Sequence, residues 1–219
     1  TSNVRFGVNA GNSIASGGIQ NVIVGDEAGT AITVGDDNTA LGYQALVSDI
    51  GGGGSTAIGR KALFSQSLAA ASTGSMKNTA VGFNSSYYIS TGTFNTGVGA
   101  NTLGTGVSTA NTGSYNTAVG ASAGLLLQGT AHSNTLLGYA AGDNITIGDS
   151  NIIIGTSIDA ASPTADGQLN IGGWITGLAG LITIPGGIKS GRDVAAFGAN
   201  TGSIANRMAL SMEGSGVSR

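Results

Sequence analysis

One segment of the chain has the residue pattern of a catalytic nucleophile, Gly120-Ala-Ser-Ala-Gly124, with Ser122 at its centre. Enzymes with this Gly-x-Ser-x-Gly pattern use a strand-to-helix turn to expose the serine hydroxyl beside a base. His132 is the only histidine, and the five residues coincide with a recurring corner of the repeat described below. The repeat explains the motif without catalysis, and we predict that the chain is not an enzyme.

Three aspartates suggest a cation site. Asp36 and Asp37 follow Gly35, and Asp149 follows Gly148 at the equivalent place later in the chain. In a three-fold assembly, three copies of these carboxylates could converge on Ca²⁺, which prefers oxygen ligands. The alternative is that they are corner residues that bond nearby backbone N–H groups. No other cofactor is expected.

Three aromatic residues, Tyr87, Tyr88 and Phe94, suggest a binding surface. They fall between copies of the repeat, where we predict loops at 64–76, 83–94 and 101–115. Aromatic rings in such loops can stack on sugars or contact a partner protein. The alternative is that they cover one end of a rung.

A five-residue phrase, typified by Asn116-Thr-Ala-Val-Gly120, must position all of these residues, because it recurs along most of the chain. Twelve copies end at these glycines: Gly7, Gly25, Gly35, Gly42, Gly59, Gly82, Gly99, Gly120, Gly138, Gly148, Gly155 and Gly172. Such repetition predicts a solenoid in which each rung covers the next. Equivalent residues then lie above one another, so the sequence also predicts ladders of hydrogen-bonded Asn and Thr side chains.

The phrase has the alternation of a short strand. Its second position is mostly β-branched and its fourth, for example Val119, is always apolar, whereas its third is mostly small. Residues two apart share a face of a strand, so we predict that the second and fourth positions are buried. The small third position then lies close to a neighbouring chain or rung, and loop residues such as Ser86 tolerate substitution.

The spacing of the glycines reveals a duplication. The series Gly7, Gly25, Gly35, Gly42 and Gly59 returns with the same intervals as Gly120, Gly138, Gly148, Gly155 and Gly172. Residues 3–59 and 116–172 therefore share one register, and they flank a loop-rich middle of residues 60–115. The four glycines 51–54 in the first block predict a flexible loop.

We assign residues 1–172 to one repeat region. Residues 173–219 are predicted to be a degenerate terminal segment or connector, with one further strand near Leu181.

The composition limits the classes of partner that the chain can be expected to bind. Only 9 % of the 219 residues are charged and the formal net charge is −3, so we expect neither nucleic-acid binding nor membrane insertion. The absence of cysteine excludes disulfide bonds and thiolate metal sites. Eleven aromatic residues give a small core for this length, which favours self-association as a homotrimer.

Phrases such as Asn78-Thr-Ala-Val-Gly-Phe-Asn-Ser85 and Asn38-Thr-Ala-Leu-Gly-Tyr-Gln-Ala-Leu46 resemble the repeats of bacteriophage tail fibres and tailspikes, and also those of YadA-type trimeric adhesin heads. The resemblance covers about residues 3 to 172. It implies an all-β fold, a homotrimer whose chains each form a left-handed parallel β-roll or intertwine as a trimeric β-helix. The irregular intervals between glycines favour the phage fibre.

The resemblance implies a structural and receptor-binding fibre segment in the virion, a rigid trimeric stalk or host-attachment region. Its expected partners are other copies of the chain, other tail or fibre proteins, and a glycan or protein receptor on the bacterial surface. One alternative is the head of a trimeric adhesin on the bacterial cell surface. Another is a glycan-cleaving tailspike, which would need paired carboxylates in a cleft.

Overall fold

The structure, a computed structural model, describes residues 2–14, 17–68, 74–104, 106, 109–178 and 180–183, and in that part it contains strands and turns but no helix. One twelve-stranded sheet follows chain order. Its strands are β1 (Val4–Phe6), β2 (Val22–Val24), β3 (Thr39–Leu41), β4 (Thr56–Ile58), β5 (Thr79–Val81), β6 (Thr96–Val98), β7 (Thr117–Val119), β8 (Thr135–Leu137), β9 (Ile152–Ile154), β10 (Leu169–Ile171), β11 (Ile175–Leu178) and β12 (Leu181–Thr183). The first ten pair in parallel. The predicted parallel β-solenoid is confirmed.

Each of these ten strands is one rung, and two copies of the phrase are not strands. The copies 31–35 and 144–148 lie on the returning side of a turn, where Ile32 and Ile145 point into the core. Residues that begin the phrase in successive rungs are 17 residues apart at Asn21 and Asn38, and 18 residues apart at Asn116 and Asn134. One such turn is therefore the structural unit. Ten rungs at about 4.8 Å give a stack of roughly 43 Å.

The prediction of which strand face is buried was wrong. The middle residue of each strand from β2 to β9 is buried, and the set consists of Ile23, Ala40, Ala57, Ala80, Gly97, Ala118, Leu136 and Ile153. In the ten copies that form strands, the second and fourth positions, including Val119, are half-buried or exposed and point outward. Small residues dominate the third position because the interior of a narrow turn has little room for side chains.

The predicted asparagine ladder is present at the first position of the phrase. Asn116 Oδ1 accepts the backbone N–H of Asn134 in the next turn at 3.0 Å, and its own N–H donates to Asn95 Oδ1 at 2.9 Å. Asn116 Nδ2 also donates to the carbonyl of Ala131 at 2.8 Å. The side chain is fully buried, so each bond is made where water cannot compete.

The glycine that ends the phrase is required by close packing between turns. Gly120 has φ +130°, and a Cβ there would clash with the carbonyl oxygen of Gly138. In the corner that follows, the second residue after the glycine has a left-handed backbone conformation, and this recurs in turn after turn, as in Lys61, Asn84, Asn101 and Ser122. This conformation costs energy in residues other than glycine, so stacking of the turns must hold it.

The core consists of two hydrophobic segments. One extends from Ala10 to Ile89 and the other from Leu103 to Ala160. Between them lies a layer of hydroxyl groups from Ser85, Ser86 and Thr102, and a Cβ at Gly97 would clash with all three. Ser86 is therefore buried, and the expectation that it behaves as a loop residue was wrong.

The glycine run at 51–54 is ordered by neighbouring turns, contrary to the predicted flexible loop. Gly51, Gly53 and Gly54 donate backbone hydrogen bonds to the carbonyls of Leu68, Gly74 and Asp36. Gly51 to Gly53 are buried, and a Cβ at Gly52 would lie 2.5 Å from an Asp49 carboxylate oxygen. Glycine is needed here because there is no space for a side chain.

Of the three predicted loops, the one at 83–94 belongs to an ordinary turn. The ladder residues Asn78 and Asn95 that bound this turn are 17 residues apart, the same separation as Asn21 and Asn38. Inserted residues lie instead in the turn before it and the turn after it, and Asn95 and Asn116 are 21 residues apart. The loops at 64–76 and 101–115 fall within these two longer turns, each partly outside the described residues.

The stack ends in an antiparallel hairpin. β10 pairs with β11, and β11 pairs with β12. The sequence predicted one strand here, and the structure has two. The remainder of the predicted connector, residues 184–219, lies outside the described residues. Within the described part, no helix is long and apolar enough to cross a membrane.

The face assignment predicts that Ala118→Asp destabilises the chain by several kcal/mol, because Ala118 is fully buried and a carboxylate there has no partner. The matched control Thr156→Asp, at an exposed corner, should change stability by less than about 0.5 kcal/mol. Urea denaturation of both variants measures this. Equal midpoints would contradict the observed orientation of the strands.

Candidate functional site

Aromatic side chains stack at one corner of the solenoid. Phe64 lies five residues after Gly59, and Tyr87 lies five residues after Gly82, so the two occupy the same place in successive turns. Their ring centroids are 4.6 Å apart with planes 8° from parallel. The separation is close to the spacing of the rungs. The repeat itself therefore aligns the two rings.

Two further side chains complete this group. Tyr88 meets Tyr87 edge-on at 4.6 Å, and the Lys61 ammonium lies 5.1 Å from the Phe64 ring and 5.9 Å from the Tyr87 ring. We call Lys61, Phe64, Tyr87 and Tyr88 the tyrosine cluster. Burial, together with the neighbouring Tyr88 hydroxyl, raises the pKa of Tyr87, while Arg60 opposes the shift. Both tyrosines are half-buried and present a rim to solvent.

Arg60 lies beside the tyrosine cluster, and two rings flank its guanidinium. The guanidinium carbon is 5.8 Å from the Tyr43 ring centroid and 5.2 Å from that of Phe83, within cation–π range. A shallow depression of about 240 Å³ lies between Arg60 and the tyrosine cluster and is lined by Arg60, Lys61, Asn84, Tyr87 and Tyr88. We call it the tyrosine depression.

Phe94 belongs to a different group. It stacks on Tyr115 at 5.2 Å, with the Lys77 ammonium 5.4 Å from its ring. These three residues directly precede the asparagine position, at the corner before the strand. The structure thus unites Tyr87 with Tyr88 and places Phe94 elsewhere. Residues 60, 61 and 64 were not predicted as site residues from the sequence. Their distances from Gly59 along the chain nevertheless match those of residues 83, 84 and 87 from Gly82.

The three aspartates lie at corners. Asp36 Oδ1 accepts the N–H of Ile19, and Asp149 Oδ1 accepts that of His132, both at 2.8 Å. Asp37 is exposed with φ 58°. These bonds are the corner role that we stated as the alternative to calcium. Within the described residues, no three His, Cys, Asp or Glu side chains gather in one chain, and a site shared between copies stays a prediction.

Ser122 lies in a corner with φ 60°, in the repeated left-handed conformation, and a further left-handed glycine, Gly124, follows. No helix follows it. His132 instead contacts Asp149 through Nε2 at 2.9 Å and Ser133 through Nδ1 at 3.2 Å. The His132 side chain is 51 % exposed. The Ser133 hydroxyl, the His132 imidazole and the Asp149 carboxylate lie at the surface, without an enclosed site that could orient a substrate. This geometry favours a structural corner.

One carboxylate is buried in the core. Asp49 occupies a position that is isoleucine or leucine in several other turns, and it accepts a hydrogen bond of 2.6 Å from Gln66 Nε2. Gln66 also bridges Ser55 and Asn78, where the asparagine ladder is interrupted by a serine. Burial raises the pKa of Asp49, and hydrogen bonds from Gln66, Gly52, Leu68 and Ile50 offset part of the effect.

A second carboxyl with a raised pKa lies at the surface. Partial burial, followed by hydrogen bonding to Asp159 and the charge of that group, raises the pKa of Asp143. The two residues lie in successive turns, since the adjacent Gly142 donates its backbone N–H to the carbonyl of Ile158 at 2.8 Å.

Comparison with known proteins gives no match to a family model, to a curated protein or to a solved structure.

The raised pKa values of Asp49 and Asp143 predict that acidification stabilises the fold. A carboxyl whose pKa is higher in the folded chain than its ordinary 3.8 binds its proton more tightly there. The free energy of unfolding should therefore rise as the pH falls from 7 to about 4. Urea denaturation across this range measures it, and Asp143→Asn should reduce the rise. A steady fall in stability over the same range would contradict the prediction.

Proposed function

We propose that this chain is a segment of a bacteriophage tail fibre that serves both as a rigid stalk and as a surface for attachment to the host. In this proposal it assembles as a homotrimer within the virion, next to other tail or fibre proteins. Its ligand is a saccharide of the bacterial surface. The observation that supports the assembly most directly is the apolar outward face of the strands.

This outward face is continuous along the stack. Its members are the side chains at the second and fourth positions of the phrase, and the exposed apolar ones include Val4, Phe6, Val22, Leu41, Val98, Leu137 and Ile152. The fourth position is apolar in every rung, whereas the second position is threonine from β3 to β8. The strip is therefore about 43 Å long and continuously apolar along one of its two rows. Strands that carry apolar residues on the outward as well as on the inward face are typical of sheets that are covered on both sides.

A second copy of the chain is the occupant that best fits this strip. The strip lacks charged side chains from β2 to β9, because threonine, valine, isoleucine and leucine fill it. A regular, repeating surface is matched best by another surface with the same repeat distance. Three copies around one axis would cover all three strips and leave the corners outside, in agreement with the trimer implied by the resemblance.

Attachment is assigned to the tyrosine cluster. The turns are constrained by packing, so recognition falls to side chains at corners and insertions, as is common on rigid scaffolds. Half-buried tyrosines can stack on the apolar face of a sugar ring while their hydroxyls bond its polar edge. In a trimer the cluster occurs three times, and avidity then strengthens weak contacts with a repetitive glycan.

The assembly predicts that the purified protein sediments as three 21.2 kDa chains. Leu137→Glu places a charge in the outward strip and should give a folded monomer, whereas Thr156→Glu at an exposed corner should leave the trimer intact. Sedimentation equilibrium with circular dichroism distinguishes these states. A folded wild-type monomer would refute the assembly.

The attachment role predicts that Tyr87→Ala with Tyr88→Ala lowers binding to host cells by at least tenfold while the trimer stays folded, because ring–sugar contacts are lost. Phe94→Ala is the matched control, since Phe94 lies in the other aromatic group. Cell pull-down with labelled protein measures this. Unchanged binding by the tyrosine double variant would place attachment elsewhere.

A further inference from the structure

The charges of the chain are segregated along the stack. No aspartate or glutamate occurs between residues 50 and 142, whereas Arg60, Lys61 and Lys77 all lie there. Acidic residues occupy the turns on either side, at Asp26 to Asp49 and from Asp143 to Asp166. The middle turns therefore form a positively charged band in a chain of net charge −3. The acidic residues on either side of the band repel an anion that approaches the ends of the stack.

We propose that the tyrosine depression binds an acidic saccharide, one that carries carboxylate groups, in preference to a neutral one. The proposal rests on the attachment role above and specifies its ligand. It assigns the selectivity to Arg60 and Lys61, and the stacking contact to Tyr87 and Tyr88.

The two cations are available to a ligand. Within the described residues neither Arg60 nor Lys61 forms an ion pair or a side-chain hydrogen bond, and their observed partners are aromatic rings. Ring contacts hold the side chains in place without using their N–H donors. A guanidinium held in this way can receive a carboxylate through two parallel hydrogen bonds.

The depression matches one sugar residue in size and chemistry. The two tyrosines, the two cations and Asn84 line a space of about 240 Å³, which is smaller than the pockets that enclose drug-sized ligands. A shallow site open to solvent suits one unit of a longer chain. The carboxylate of that unit would meet Arg60 and Lys61, and the ring would lie against Tyr87 or Tyr88.

The geometry disfavours a single-stranded nucleic acid as the ligand. Such ligands need successive open ring faces on which bases stack, along a continuous basic groove. Here Phe64 and Tyr87 each use one ring face to stack on the other, and Tyr88 is inclined by 67° to Tyr87, so the group offers no row of parallel open faces for successive bases. Three cations in the whole band are too few to follow a phosphate backbone.

The test measures binding of the assembled protein to three probes by isothermal titration calorimetry: oligogalacturonate, maltohexaose as the neutral saccharide, and a dT oligonucleotide. We expect oligogalacturonate to bind at least tenfold more tightly than maltohexaose, and we expect this preference to weaken as NaCl rises from low to physiological concentration. Lys61→Gln and Arg60→Gln should each remove most of the preference.

Lys77→Gln is the matched control, because Lys77 also lies over an aromatic ring within the band but outside the depression. It should retain the preference. Equal loss in Lys77→Gln and Lys61→Gln would show a general charge effect and overturn the proposal. Equal binding of both saccharides would also overturn it while leaving the attachment role intact. Tightest binding of the oligonucleotide, or binding of no probe together with no binding of host cells, would refute both.

Discussion

The buried asparagine ladder is the interaction on which the rest of this structure depends. Most ladder asparagines satisfy a backbone N–H of the following turn and a carbonyl on the returning side, as Asn116 does with Asn134 and Ala131. Register between turns is fixed by these bonds, because a strand of three residues has few ladder bonds of its own. Where Ser55 replaces asparagine, Gln66 and Asp49 enter the core to complete the network. A carboxyl group is buried there as a consequence.

Much of the fold could be predicted from the sequence, because a repeat reports its own spacing. The parallel stack, the duplication and the asparagine ladder all follow from twelve copies of one phrase. The buried face of the strand did not, because the fourth position, which faces outward, is as apolar as the third, and only the narrowness of the turn decides which side is interior. Ala118 inside and Val119 outside differ in size, and that difference was the available signal.

The candidate site was predicted only in part, since its members share a position in the turn and are far apart in sequence. Tyr87 and Tyr88 stood out as a pair, but Phe64 joins them because it lies at the same offset from its own glycine. Counting residues from the glycines would have united them, and would have separated Phe94, which stacks on Tyr115. The contacts of Arg60 with two rings require coordinates, because they depend on side-chain conformation.

The direction of the hydrogen bonds has a mechanical consequence. In this solenoid the bonds between rungs, both backbone and asparagine, run along the long axis of the stack. Tension applied to its two ends is therefore carried by all the rung interfaces in series, and the chain should yield turn by turn, beginning at the weakest interface. Compression instead presses each glycine corner against the next, where Gly120 and Gly138 already leave no space for a methyl group. The stack is stiff under pushing and extensible under pulling.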